Sequence, residues 1–161
     1  MTRYTIDKTG MLVLPEGLSV GGSLDLRGSA ITALPEGLSV GRDLHLGGSA
    51  ITALPEGMLL MGKSIADAPV IADLDRQVYA AASKPEALNM SGWHCGTSHC
   101  WAGWITTLAG AEGAKLETAI GPMNAATMIC ARSVPGQLFP NFFGKNEETL
   151  IEMKRRAEMP S

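Results

Sequence analysis

The chain has 161 residues, 45% of them hydrophobic and 18% charged, with a formal net charge of −3. That apolar share supplies a real core and excludes extended disorder, and the charged share, below the usual about 25%, points the same way. The slight acidity excludes a global field that draws nucleic acid or anionic membrane, and the one basic run is the short Lys154-Arg155-Arg156.

The opening, MTRYTIDKTG, lacks a basic segment followed by an apolar one, and no stretch reaches the roughly 20 apolar residues of a membrane span. Three cysteines, an odd number, do not make a secreted disulfide framework. The expectation is a cytoplasmic chain with no membrane partner.

Taken in chain order, the first signal is a tandem repeat: LPEGLSVGGSLDLRGSAITA at 14–33 and LPEGLSVGRDLHLGGSAITA at 34–53. A worn copy precedes it, aligning Tyr4 with Leu24 and Leu44, and Met11 with Ile31 and Ile51. A third unit opens at Leu54-Pro55-Glu56-Gly57 and has lost the pattern by Ile65. Leu24-Asp25-Leu26 and Leu44-His45-Leu46 alternate apolar and polar, the period of a half-buried strand, and each LPEG turns the chain. Stacked copies place equivalent residues in columns about 4.8 Å apart. Three outward columns follow: Arg3, Ser23 and Asp43; Thr5, Asp25 and His45; Asp7, Arg27 and Gly47. The faithful copies differ only at Gly22/Arg42, Ser23/Asp43, Asp25/His45 and Arg27/Gly47, so the variation gathers on the outward face while the apolar positions repeat. Arg3, Thr5, Asp25, Arg27, Asp43 and His45 are therefore the candidate partner-binding residues; drift at unconstrained surface positions would give the same pattern.

LPEGLSVGGSLDLRGSAIT resembles the short leucine-rich-type repeats of uncharacterised bacteriophage and prophage proteins, and more distantly the repeats of bacterial effectors. Ser29 and Ser49 stand where those repeats usually close on asparagine. The resemblance implies a repeat architecture and leaves the ligand open.

From Leu74 the pattern turns helical. Asp73 is placed to cap a helix over Leu74–Ala82, and Pro85 opens a short turn. Thr97 or Ser98 caps a helix on which Trp101, Trp104, Ile105 and Leu108 share a face. Helices over 112–120 and 123–132 follow, divided at Gly121-Pro122. Asn146 caps the last, with Glu147 and Glu148 at its start, Lys154, Arg155 and Arg156 at its end, and Leu150, Ile151, Met153 and Ala157 inward. This stretch, around WHCGTSHCWAGW, resembles a small helical domain of phage and bacterial proteins with a C-G-T-x-x-C-x-A-G-W core, which implies no known activity, cofactor or catalytic residue.

His94, Cys95, His99 and Cys100 form the dense set of soft ligands, and a zinc site or a reactive cysteine is the alternative function they suggest. The four crowd into seven residues, whereas structural zinc sites separate two ligand pairs by a long loop. On a helix, His99 and Cys100 point about 100° apart, so convergence needs a further ligand such as Cys130. CGTSHCW echoes the cysteine motif of papain-like proteases, yet no histidine follows His99. Core packing of Cys100 and Cys130 is the bland reading. No glycine-rich phosphate loop is present, and no cofactor is implied.

These observations predict an α+β chain: a short leucine-rich-type β-solenoid over residues 1–73, capped by a small C-terminal helical domain over 74–161. The expected role is non-catalytic protein binding, with no catalytic residue. By the phage resemblance, the partner is a host factor such as a defence (CRISPR) component that the protein inhibits. A structural subunit stacking through its open N-terminal coil is a third reading, and the oligomeric state stays open.

Overall fold

A computed structural model describes residues 5–6 and 12–160, without the side chains of Thr5, Ile6, Leu12 and Cys95. The class is α+β, but the β half is not the expected solenoid. Its strands are two residues long: β1 (Thr5–Ile6), β2 (Leu12–Val13), β3 (Ser19–Val20), β4 (Leu24–Asp25), β5 (Ser39–Val40), β6 (Leu44–His45), β7 (Leu59–Leu60) and β8 (Lys63–Ser64). They gather into small sheets, one ordered β3-β5-β7-β8, one β4-β6 and one β1-β2, with no closed or solenoid sheet among the described residues.

The repeat does set the register. Val20 pairs in parallel with Val40 and then Leu60, and Leu24 pairs with Leu44, each at a spacing of 20 residues. The same columns fill the core: Leu18, Leu38 and Met58 are buried, as are Leu26 and Leu46, and Ile31 and Ile51. Each fully buried aliphatic side chain contributes about 1.5–3 kcal/mol. Turns occupy the rest of each unit, which keeps the strands short.

Two things stop the stack. Met61 and Gly62 both take positive φ, 49° and 79°, and fold β8 back antiparallel on β7. Ser64, where a third strand at the Leu24 and Leu44 position would begin, instead ends β8 and caps a short 3-10 helix, Ile65–Asp67. The β4-β6 sheet therefore ends at β6 with an unpaired edge.

The second half supplies five helices: α1 (Leu74–Ala82), α2 (Trp101–Leu108), α3 (Gly110–Ile120), α4 (Pro122–Ser133) and α5 (Asn146–Ala157). Before α2 runs a hairpin of β9 (His94–Cys95) and β10 (Ser98–His99), in which His99 faces His94 across the pair. Thr97 and Ser98 therefore do not cap α2; Cys100 does, its Sγ accepting from the Gly103 N–H at 3.3 Å. Asp73 makes no side-chain cap and sits at φ 50°. Asn146 is the first helical residue of α5, and its side chain accepts from the Met90 N–H and donates to the Leu88 carbonyl. Ile151 is 71% exposed rather than inward.

Helix α4 ties the halves together. Asn124, 1% exposed, accepts the Leu44 N–H at 3.1 Å through Oδ1, giving the open edge of β6 the partner that a further repeat would have supplied. Its Nδ2 donates to the Ile120 and Arg42 carbonyls at 3.0 and 3.3 Å. At the other end of α4, Ser133 Oγ accepts from the Ile71 N–H, and Arg132 donates to the Ala68 carbonyl. One hydrophobic cluster runs from Leu14 through α4 to Met153.

Candidate functional site

Asp25 and His45 face each other across the β4-β6 pair, as the repeat register predicts. The closer partner of Asp25 is Arg27: Nε donates to Oδ1 at 2.9 Å and Nη2 to Oδ2 at 2.6 Å. These bonds, together with the Arg27 backbone N–H, hold the Asp25 carboxyl at about 2. Asp43 is exposed, its N–H donating to Ser23 Oγ at 3.3 Å and its Oδ1 receiving Asn124 Nδ2 at 3.4 Å. Arg3 and Asp7 lie outside the described residues. Thr5 does not extend the Asp25-His45 ladder, because β1 pairs antiparallel with β2 and Thr5 faces Val13.

The columns are only partly open: Ser23, Asp25, Arg27 and Asp43 are exposed, whereas His45 and Gly47 are half-buried. The loop between α4 and α5 carries Phe139, Phe142 and Phe143 over them, with the first two buried and Phe143 51% exposed. The Phe143 ring lies 5.6 Å from the His45 ring and 5.4 Å from the Arg27 guanidinium carbon. His45 is half-buried, with Nδ1 enclosed and without a hydrogen-bond partner. This loop explains one difference between the copies. A Cβ on Gly47 would meet the Asn141 Cα at 3.1 Å, so the residue equivalent to Arg27 is reduced to glycine where the loop crosses.

Trp93 completes the site from the other side. It is 41% exposed and precedes the β9-β10 hairpin. Trp93 and Phe143 border two neighbouring cavities. One, about 370 Å³, reaches Asp43, His45 and the α3-α4 corner at Gly121 and Pro122; the other, about 210 Å³, reaches Met90 and Cys100. Ladder, hairpin and loop thus build one composite groove with two exposed aromatic walls. Sequence reasoning found Asp43 and His45 but missed their meeting with Trp93 and Phe143; the signal in the sequence was the Arg27/Gly47 exchange.

The His94 to Cys100 set does not converge. His94 Nδ1 and His99 Nδ1 lie 2.6 Å apart, and His94 Nε2 lies 2.7 Å from Glu117 Oε1 on α3. Because the carboxylate can only accept, His94 donates through Nε2 and one proton bridges the two Nδ1 atoms. His94 thus turns opposite ring nitrogens to its two neighbours. Cys100 Sγ points at backbone, and among the described residues no three His, Cys, Asp or Glu side chains are placed to hold a metal ion. The Cys95 side chain lies outside the described residues. Burial, first, and then His94 push the His99 imidazole below its ordinary value, against Glu117. Burial also raises the Cys100 thiol and pushes Cys130 up to about 12, away from a reactive thiolate. Gly103 makes the hairpin's seat: a Cβ there would strike the Trp93 carbonyl and crowd His99 and His94.

A third cavity, about 430 Å³, lies by α1 and the end of α5, between Asp75, Gln137, Arg156 and Met159. Asp75 Oδ2 is enclosed there without a partner, and burial raises its carboxyl despite Arg156. Among the described residues, no helix is long and apolar enough to cross a membrane.

Comparison with protein-family models, curated proteins and solved structures returned no match.

Proposed function

We propose that this chain is a non-catalytic protein-binding module whose binding face is the groove between the repeat ladder and the helical half. The observation that carries the reading is the placement of Trp93 and Phe143, 41% and 51% exposed, as walls of adjoining cavities built from three separate segments. Large aromatic side chains left in solvent at the mouth of a groove are the residue types that dominate interface energetics. Asp43 and His45 give the groove polar edges. The likeness of the repeats and of the CGTSHCWAGW segment to phage proteins supports a phage or prophage accessory protein that binds and blocks a host factor in the host cytoplasm, such as a defence (CRISPR) component.

Affinity capture from bacterial lysate, comparing wild type with Trp93→Ser/Phe143→Ser, tests the reading. Glu147→Ala/Glu148→Ala, at the exposed start of α5, serves as the control. A protein retained by wild type and control but lost by the aromatic variant supports the groove. Equal retention by all three refutes it.

A further inference from the structure

The same groove shows what it takes. Resting on the binding reading above, we infer that the cavity between Trp93, Phe143 and Asp43 receives a cationic side chain, arginine or lysine, from the protein partner. Three observations lead there.

The first is composition. The titratable residues lining the 370 Å³ cavity are one carboxylate, Asp43, and one histidine, His45, with no lysine or arginine. Two aromatic residues and a carboxylate bordering one space bring π surface and a full negative charge together, the combination that recognises a cation.

The second is charge balance. The neighbouring Asp25 is neutralised by Arg27 in a bidentate pair. Asp43 receives a single long contact from the neutral amide of Asn124, and among the described residues no cation pairs with it. The groove therefore keeps one uncompensated negative charge at its edge.

The third is precedent within the molecule. Phe143 already carries the Arg27 guanidinium 5.4 Å from its ring centre, and the ring still has half its surface free. The loop thus holds this ring in a pose that accepts a guanidinium, and Phe143 also borders the cavity that Asp43 lines.

The test is a titration of isotopically labelled protein with N-acetyl-arginine amide and N-acetyl-lysine amide, against the uncharged N-acetyl-norleucine amide, read on the Trp93 indole N–H. The inference predicts saturable shifts at Trp93 with at least one cationic probe, binding at least about fivefold tighter than norleucine amide. Asp43→Asn and Phe143→Leu should each weaken it by about fivefold, and added salt should weaken it in wild type but not in Asp43→Asn. Both side chains are exposed, so the variants should fold; the wild-type comparison of probes needs no variant. Equal binding of norleucine amide, or no saturable shift at Trp93, overturns the cation site. If the probes fail while a captured protein still requires Trp93 and Phe143, the cation inference falls and the binding reading survives. If a cationic probe binds at Trp93 while no captured protein depends on the aromatics, the reverse holds.

Discussion

Replacing Asn124 with leucine removes the side chain that closes the β6 edge. Asn124 is 1% exposed, and its Oδ1 is the acceptor for the Leu44 N–H at 3.1 Å. Leucine is close in size and leaves little cavity, so the main cost is an enclosed backbone donor with no partner, together with the Nδ2 bonds to Ile120 and Arg42. An orphaned buried donor costs about 1–3 kcal/mol, and the lost amide bonds bring the expected loss to about 2–3 kcal/mol. For a chain of this length that corresponds to a Tm lower by about 4–12 °C. Thermal unfolding followed by far-UV circular dichroism gives the shift, and hydrogen exchange at the Leu44 amide gives the local effect. Asn124→Asp separates the causes: the carboxylate still accepts from Leu44, but it faces Asp43 and two carbonyls, so its destabilisation should shrink on acidification. A Tm loss under about 2 °C for the leucine variant, with Leu44 still protected, would refute the reasoning.

Gly47→Arg, which copies the equivalent residue of the preceding repeat, should push the loop at Asn141 off the ladder at a cost of about 1–3 kcal/mol, measured by urea unfolding; an unchanged midpoint contradicts the packing. The unfolded chain protonates His99 before the folded one does, because the folded value is depressed. Its stabilising contribution is thus complete above the ordinary 6.5 and is lost as pH falls through the lower folded value. Urea midpoints of His99→Phe should decline less steeply on mild acidification than those of wild type. Cys100 and Cys130 are buried with raised thiols, so native protein should resist alkylation at both, with modification appearing on unfolding; rapid native labelling of Cys130 would contradict its placement.

Much of this structure can be read from residue pattern. The 20-residue period sets the pairing of Leu24 with Leu44 and Val20 with Val40, because identical apolar positions must stack to be buried. Helix α1 begins and ends where its periodicity does. The solenoid expectation failed at Met61-Gly62 and Ser64, where local turn conformation ended a stack only a few units long. The capping expectation at Asn146 failed because a tertiary contact outbid the local one: it spends its amide on Met90 and Leu88 instead of its own helix. At the groove, Asp43 and His45 stood out by varying between copies. Trp93 and Phe143 reach them from segments about 50 and 100 residues away, a distance over which no periodicity carries information. The His94-His99-Glu117 chain was hidden for the same reason, since Glu117 lies on another helix and its contact follows from the α2-α3 turn.

The most direct test of the groove is a hydrogen-exchange and indole N–H footprint of the protein in complex with a captured partner. The account predicts protection concentrated at Trp93, at Asp43 to His45 and at Phe143, with the exposed face of α5 around Glu147 and Ile151 unchanged. Protection centred on α5, or on the cavity between Asp75 and Arg156, with Trp93 and Phe143 unaffected, would contradict it.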